Sequence, residues 1–411
     1  MRSLDSILPY LVVVLITTTA VVAYSSSFST VCVVNYLINS VVIEPSSEYS
    51  GLLYLESPAN ITYLGINQTV RIALSRGLTL ESGVPTVRVT QGVPAYAYVV
   101  FEVRTCSKDF NTALALVREA LINPIEVLRE STYYGEEIPT EFLREPPEVV
   151  KSEVRGAFED WLRDFAWYRF IDNLSRAPLL VSIYAARFVY NSGYIKYSAH
   201  LLPQTLEDVL KSREGDCDDM SRLLAALLWS YGVPAVIAYG YVAIPGFSMR
   251  SSIGGFEYVF SEGGSHAFVL AYISGHGWVS LDFLAGSLLT YSFVFWGTTT
   301  NVEIAREVVK EVEEFHMKLA GRQFMAVLSP GDPRLKDVES LENYVNTSLS
   351  LRVREDRVPP ITQTEVVTST VDRPGVGSPL NTATVGLVLL TTTAALIALL
   401  ALAIKTWLTR R

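Results

Sequence analysis

From Ser27 to Thr105, apolar and polar positions alternate with a period of two, in runs such as VCVVNYLINSVVI, TVRIALS and AYAYVVFEVRT separated by Gly, Pro and Ser. This pattern predicts strands and a small β-rich domain at 27–107. At Lys108 the period lengthens, and FNTALALVREAL and PPEVVKSEVRGAFEDWLRDFAWYRFIDNL read as helices of a segment 108–176. The next segment, 177–300, opens with the helix APLLVSIYAARFVY, continues through SREGDCDDMSRLLAALLWSYGVP and ends in strands. In that middle stretch Asp216 is placed to cap a helix, and Asp218 and Asp219 fall in its first turn. Leu223, Leu224, Leu227 and Leu228 carry its apolar face, and Gly232 with Pro234 stops it. Cys217 is therefore the first residue of a helix whose other face is core. Asn301 to Ala320 is amphipathic and predicts a helix within the segment 301–328. Past Ser329, Pro, Thr, Ser and charge replace periodicity, and 329–382 reads as an extended stalk. There is no internal repeat.

The two ends are apolar in a different way. Ile7 to Tyr24 carries no charge over 18 residues and Ala383 to Ile404 none over 22, the latter followed by Lys405, Arg410 and Arg411. Both lengths are near the ~20 residues that cross a bilayer. The basic flanks place both termini in the cytoplasm and the chain between them outside, at a cell membrane. A cleaved signal peptide at residues 1–26 is a second reading of the N-terminal span, and it leaves the middle on the same side. The formal net charge of −9 makes the chain a poor partner for nucleic acid. Asn60, Asn67, Asn173 and Asn346 each open a short sequon that agrees with an outside location.

Of three cysteines, Cys32 and Cys106 flank the same strand-rich region and can pair outside the cell, leaving Cys217 free; three reduced thiols is the alternative. A thiol at a helix start gains from the macrodipole, and three neighbouring carboxylates oppose that gain. Of four histidines, His200 and His276 lie in loops and His316 on a charged helix face beside Glu313 and Glu314. That face lacks a further ligand at metal spacing, so no metal and no cofactor is expected. His266 differs, because SHAFVLAYI is an alternating strand that begins with it. GWVSLDF is a second strand with Asp282 at its end. Because Asp282 lies 16 positions after His266, the two share a face only when the loop holds an odd number of residues or a bulge intervenes.

The sequence GDCDDMSRLLAALLWSYGVPAVIAYGYV, followed by SHAFVLAYI and GWVSLDF, resembles the core of the transglutaminase-like superfamily, whose fold is related to papain-like cysteine proteases. The resemblance covers roughly Ala177 to Gly286. It implies an α+β fold in which a helix carrying the cysteine packs on antiparallel strands carrying the histidine and the aspartate. It also implies a catalytic triad of Cys217, His266 and Asp282. Phe268 stands where the family usually has tryptophan and Leu270 where many members have an acid, which bears on substrate contacts rather than on the triad.

The implied chemistry is attack of Cys217 on a peptide or protein amide, with hydrolysis ahead of crosslinking. The oxyanion would meet the Cys217 N–H and one further donor, for which Gln204 is a candidate beside a plain polar role. Tyr194 and Tyr197 line a cleft or simply pack. The Gly/Ser-rich stretch Ile244 to Ser265 reads as a flap before His266. The alternative function is a non-catalytic surface protein that keeps the fold for binding. A third possibility is an enzyme docked to a membrane partner through the helices around Trp161 to Tyr190.

Overall fold

A computed structural model describes residues 30–108, 110–130, 138–200, 202–284, 292–303 and 305–349. The two apolar end segments and the stalk beyond residue 349 lie outside the described residues. Among the described residues, no helix is long and apolar enough to cross a membrane.

In chain order the strands are β1 (Thr30–Ile43), β2 (Gly51–Tyr54), β3 (Asn67–Arg76), β4 (Thr79–Glu81), β5 (Val84–Val89), β6 (Ala95–Lys108), β7 (Lys196–Tyr197), β8 (Glu214–Gly215), β9 (Ala235–Ile253), β10 (Gly255–Ile273), β11 (Gly277–Ser280), β12 (Phe293–Thr299) and β13 (Ala320–Leu328). The helices are α1 (Phe110–Ile122), α2 (Pro124–Glu130), α3 (Arg155–Leu162), α4 (Pro178–Asn191), α5 (Leu206–Ser212), α6 (Cys217–Trp229), α7 (Ala305–His316) and α8 (Val338–Ser348).

One large sheet runs in the order β12-β9-β10-β13-β1-β6-β3, with β11 added beside β10. The N-terminal strands therefore do not form a separate sheet. β13 lies between them and the rest, antiparallel to β1 and parallel to the first part of β10. β1 is buried on both faces, Leu37 and Val41 on one and Ile38 on the other, which explains its near-continuous apolar run. Only β2, β5 and β4 form a small sheet of their own in this region.

Three expectations need correction. Residues 320–328 are strand rather than a continuation of the helix, which ends at His316. Residues 338–349 are packed rather than stalk. Asp337 caps α8 by accepting from the Ser340 N–H at 2.7 Å, and Leu341, Val345 and Leu349 bury against Ile38, Val259 and Phe324. The stripe was masked by the surrounding charge. The stretch 244–265 is no loose flap. β9 and β10 continue as a paired ribbon, Ser248 to Ile253 opposite Phe256 to Ser261, and β13 holds its outer strand.

At residues 235–238 and 267–271 the two faces of β9 and β10 alternate. Ala235, Ile237, Ala267, Val269 and Ala271 face the helices, chiefly α4 and α6, and Val236, Ala238, Phe268 and Leu270 face Ile61, Leu64 and Ile66. The apolar face of α6 presses on the first set, which carries its N-terminal residue to the edge of β10.

Candidate active site

The start of α6 is fixed by its acids. Asp216 and Asp219 form a capping box, in which the Asp219 carboxylate accepts from the Asp216 N–H at 3.3 Å. Gly215 has to be glycine because a Cβ there would meet the Asp219 Cβ at 2.9 Å. Asp219 and Arg222 are both fully buried and ion-paired. Asp219 also accepts from the Gln204 N–H at 2.9 Å and the Gln204 amide at 3.1 Å, and Arg222 donates to the Val302 carbonyl at 3.2 Å. Two charges out of water are tolerated when paired and hydrogen-bonded in this way, although Arg222 Nε itself meets no hydrogen-bond partner. The Gln204 side chain is thus occupied in holding the helix start, as a polar structural residue. Behind the cysteine, Ser221 Oγ donates to the Cys217 carbonyl at 2.6 Å and meets the Tyr190 hydroxyl at 3.0 Å. Neither Arg222 nor Tyr190 stands out in sequence; an arginine three and four positions after two acids, inside an apolar helix, was the only signal.

The parity question is answered by the hairpin. Ile273 pairs with Gly277, so the loop holds three residues, Ser274, Gly275 and His276, and Gly275 and Gly277 take the positive φ (78° and 70°) that such a turn requires. An odd loop puts His266 and Asp282 on one face. Both are buried, and His266 Nε2 lies 2.6 Å from Asp282 Oδ2. The second carboxylate oxygen accepts from the Leu284 N–H at 3.4 Å.

Cys217 reaches this pair through a gap in the sheet. β13 pairs with β10 as far as Ser261 and β11 pairs from Leu270, so among the described residues no strand pairs with the β10 edge between them. In that gap the Ala267 N–H donates to the Cys217 sulfur, one residue from His266. The thiol is half-buried. Its pKa is pushed well above the ordinary value by burial first and then by the carboxylates of Asp216 and Asp218; the Ala267 N–H works the other way. Burial and the neighbouring carboxylates thus disfavour the thiolate at this helix start.

Asp216 and Asp218 stand in hydrogen-bonding contact with each other. Burial, followed by that contact, holds the Asp218 carboxyl well above the usual range, and Asp216 is raised by burial as well. One oxygen of Asp216 accepts from the His200 N–H at 3.2 Å, while the other is buried and meets no donor. The donor atoms of Asp216, Cys217 and Asp218 all lie within 4.8 Å of one another.

Around this centre, Tyr197 is half exposed, and its phenol is pushed up to about 12 by burial and by the charges of Cys217, Asp216 and Asp218, which places it at the rim. Tyr194 instead packs on Phe188, with ring centroids 4.5 Å apart and Arg213 over its other face. Phe268 is buried among His266, Phe293 and Phe295, with the Phe293 centroid at 4.8 Å, so it backs the imidazole. Leu270 lies in the same cluster. His200 is in a loop and His276 in the hairpin turn, as expected. His316 is not on a solvated face; it is buried and meets the Tyr258 hydroxyl.

Residues 174–283 match the Transglutaminase-like superfamily. No curated protein matches the sequence. Among solved structures the chain is similar to one described as "a Putative Cysteine Protease from Cytophaga hutchinsonii", with a TM-score of 0.35 and 12% identity over 74% of this chain and 93% of that one. A likeness so distant carries no argument about chemistry.

Proposed function

On the premise that this chain carries a domain of the transglutaminase-like superfamily at residues 174–283, we propose that it is a cysteine enzyme acting on peptide or protein amides through Cys217, His266 and Asp282. The observation that carries the reading is the His266–Asp282 contact of 2.6 Å beside a thiol held by the next residue's N–H. Because its surroundings raise the thiol pKa, the proton rests on sulfur until substrate arrives. His266 then takes that proton as sulfur attacks the carbonyl carbon. Asp282 holds the ring and stabilises the imidazolium. The Cys217 N–H at the helix terminus faces the developing oxyanion. His266 returns the proton to the leaving amine, giving an acyl-thioester that water cleaves. Hydrolysis is placed ahead of transfer to an amine because water needs no acceptor site.

The same reading places the described residues outside a cell membrane, tethered by the apolar segments 7–24 and 383–404. A cross-strand disulfide between Cys32 and Cys106 supports an oxidising compartment. The raised thiol pKa favours the second reading, a surface protein that keeps the fold for binding.

Incubating the full-length chain with a glutamine-containing peptide, with and without an amine, and weighing the products separates the outcomes. Backbone cleavage or loss of ammonia that disappears in Cys217→Ala supports the enzyme, and amine gain identifies transfer. No mass change, together with Cys217 alkylation by iodoacetamide no faster than in His266→Ala, sinks it.

A further inference from the structure

We propose that Asp216, Cys217 and Asp218 form a binding site for a thiophilic divalent cation such as Zn²⁺, which holds the nucleophile in an inhibited state. This rests on the reading of Cys217 as the reactive thiol and adds a form of regulation at the same place.

Two independent observations carry it. The first is the donor set. One sulfur and two carboxylates offer ligand atoms within 4.8 Å of one another, a spread that one ion can bridge with bonds of about 2.0–2.3 Å. Three protein ligands leave a fourth tetrahedral position open, and a borderline-soft ion accepts mixed sulfur and oxygen donors where Mg²⁺ or Ca²⁺ would not accept sulfur. The second is an orphan. Asp216 is 6% exposed, one of its carboxylate oxygens meets no donor, and the Asp218 carboxyl stands beside it. A buried acceptor facing an acceptor needs a cation between them, either a proton or a metal ion.

The rest of the shell limits the affinity. Arg222 lies 3.7 Å from Asp218 Oδ2 and its charge opposes a second cation. Asp219 is committed to Arg222 and to Gln204 and takes no part. Thiol and carboxyl ligands bind a metal in their deprotonated forms, so affinity rises with pH. A metal-bound sulfur has its lone pair engaged and cannot attack a carbonyl. The His266–Asp282 pair stays intact.

The test uses the full-length chain and two probes, Zn²⁺ by titration calorimetry and Cd²⁺ by ultraviolet sulfur-to-metal absorption. One Zn²⁺ per chain is expected, with a Cd²⁺ band that vanishes in Cys217→Ala. Asp218→Asn should weaken Zn²⁺ at least tenfold; this variant keeps the Asp216–Asp219 cap and so its fold, which circular dichroism checks. The proposal is overturned by absence of stoichiometric binding, by a Cd²⁺ band that survives Cys217→Ala, or by Zn²⁺ affinity unchanged in Asp218→Asn. Because these readouts need no turnover, a chain that binds Zn²⁺ yet leaves every peptide intact keeps the metal site and loses the enzyme. Peptide turnover insensitive to Zn²⁺ at saturating occupancy removes the inhibition.

Discussion

At the residue scale the governing tension is between the thiol that the proposed function asks to lose its proton and the acids beside it. Asp218 is the side chain that can be changed without undoing the helix cap, since the cap uses Asp216 and Asp219. Its carboxylate disfavours thiolate, so Asp218→Asn should lower the Cys217 pKa and speed alkylation by iodoacetamide at pH 7 several-fold; an unchanged rate would refute this electrostatic account. The same group makes a statement about stability. Its folded pKa is raised, so its favourable contribution is present below the ordinary carboxyl range and is lost as pH rises through the raised value. Asp218→Asn should therefore melt above the parent protein at neutral pH and lose that advantage near pH 3.5, which calorimetric scans at the two pH values read directly. Cys217, His266 and Asp282 are legible in sequence because each sits in a motif. The close approach of the Asp216 and Asp218 carboxyls is not, because adjacent acids at a helix start normally turn to water and only burial forces them together.

Single elements carry the geometry that the residues need. The three-residue turn of the β10–β11 hairpin sets the parity that puts Asp282 on the same face as His266. Inserting one glycine between Ser274 and Gly275 should move Asp282 to the opposite face and slow Cys217 alkylation as much as Asp282→Ala does, whereas inserting two should restore much of the rate. Equal effects of the two insertions would show that parity is not what matters. On α6 the buried Arg222–Asp219 pair locks the helix start to the Gln204 and Val302 backbone. Arg222→Ala leaves a carboxylate unpaired out of water and should cost roughly 3–5 kcal/mol in urea unfolding. A cost below ~1 kcal/mol would mean that water reaches Asp219. The α6 helix and the two strands of the hairpin follow from periodicity and from Gly and Pro stops. The β9–β10 ribbon at 244–265 does not, because its Gly and Ser content reads as loop and its pairing partner β13 lies some sixty positions away.

Across the whole molecule, one sheet joins the N-terminal strands to the site-bearing strands through β13, and the Cys32–Cys106 disulfide pins β1 to β6 within it. The bridge closes a loop of sequence separation 74, for which chain entropy gives about 4 kcal/mol, so Cys32→Ser should lower the denaturant midpoint substantially and the parent should fall to the same midpoint in reductant. Coincident midpoints without reductant would argue that the bridge does not form. What the sequence by itself determined is local: the helix that begins at Cys217, the strand that begins with His266, the hairpin that carries Asp282, and their order along the chain. These follow from near-neighbour rules of period, cap and turn. What only the tertiary structure decided is non-local. The gap between β13 and β11 admits the thiol to the Ala267 N–H, Arg222 is buried against Asp219, and α8 packs on the sheet. Each depends on residues far apart in sequence arriving at one place, where exclusion of water changes what their charges do.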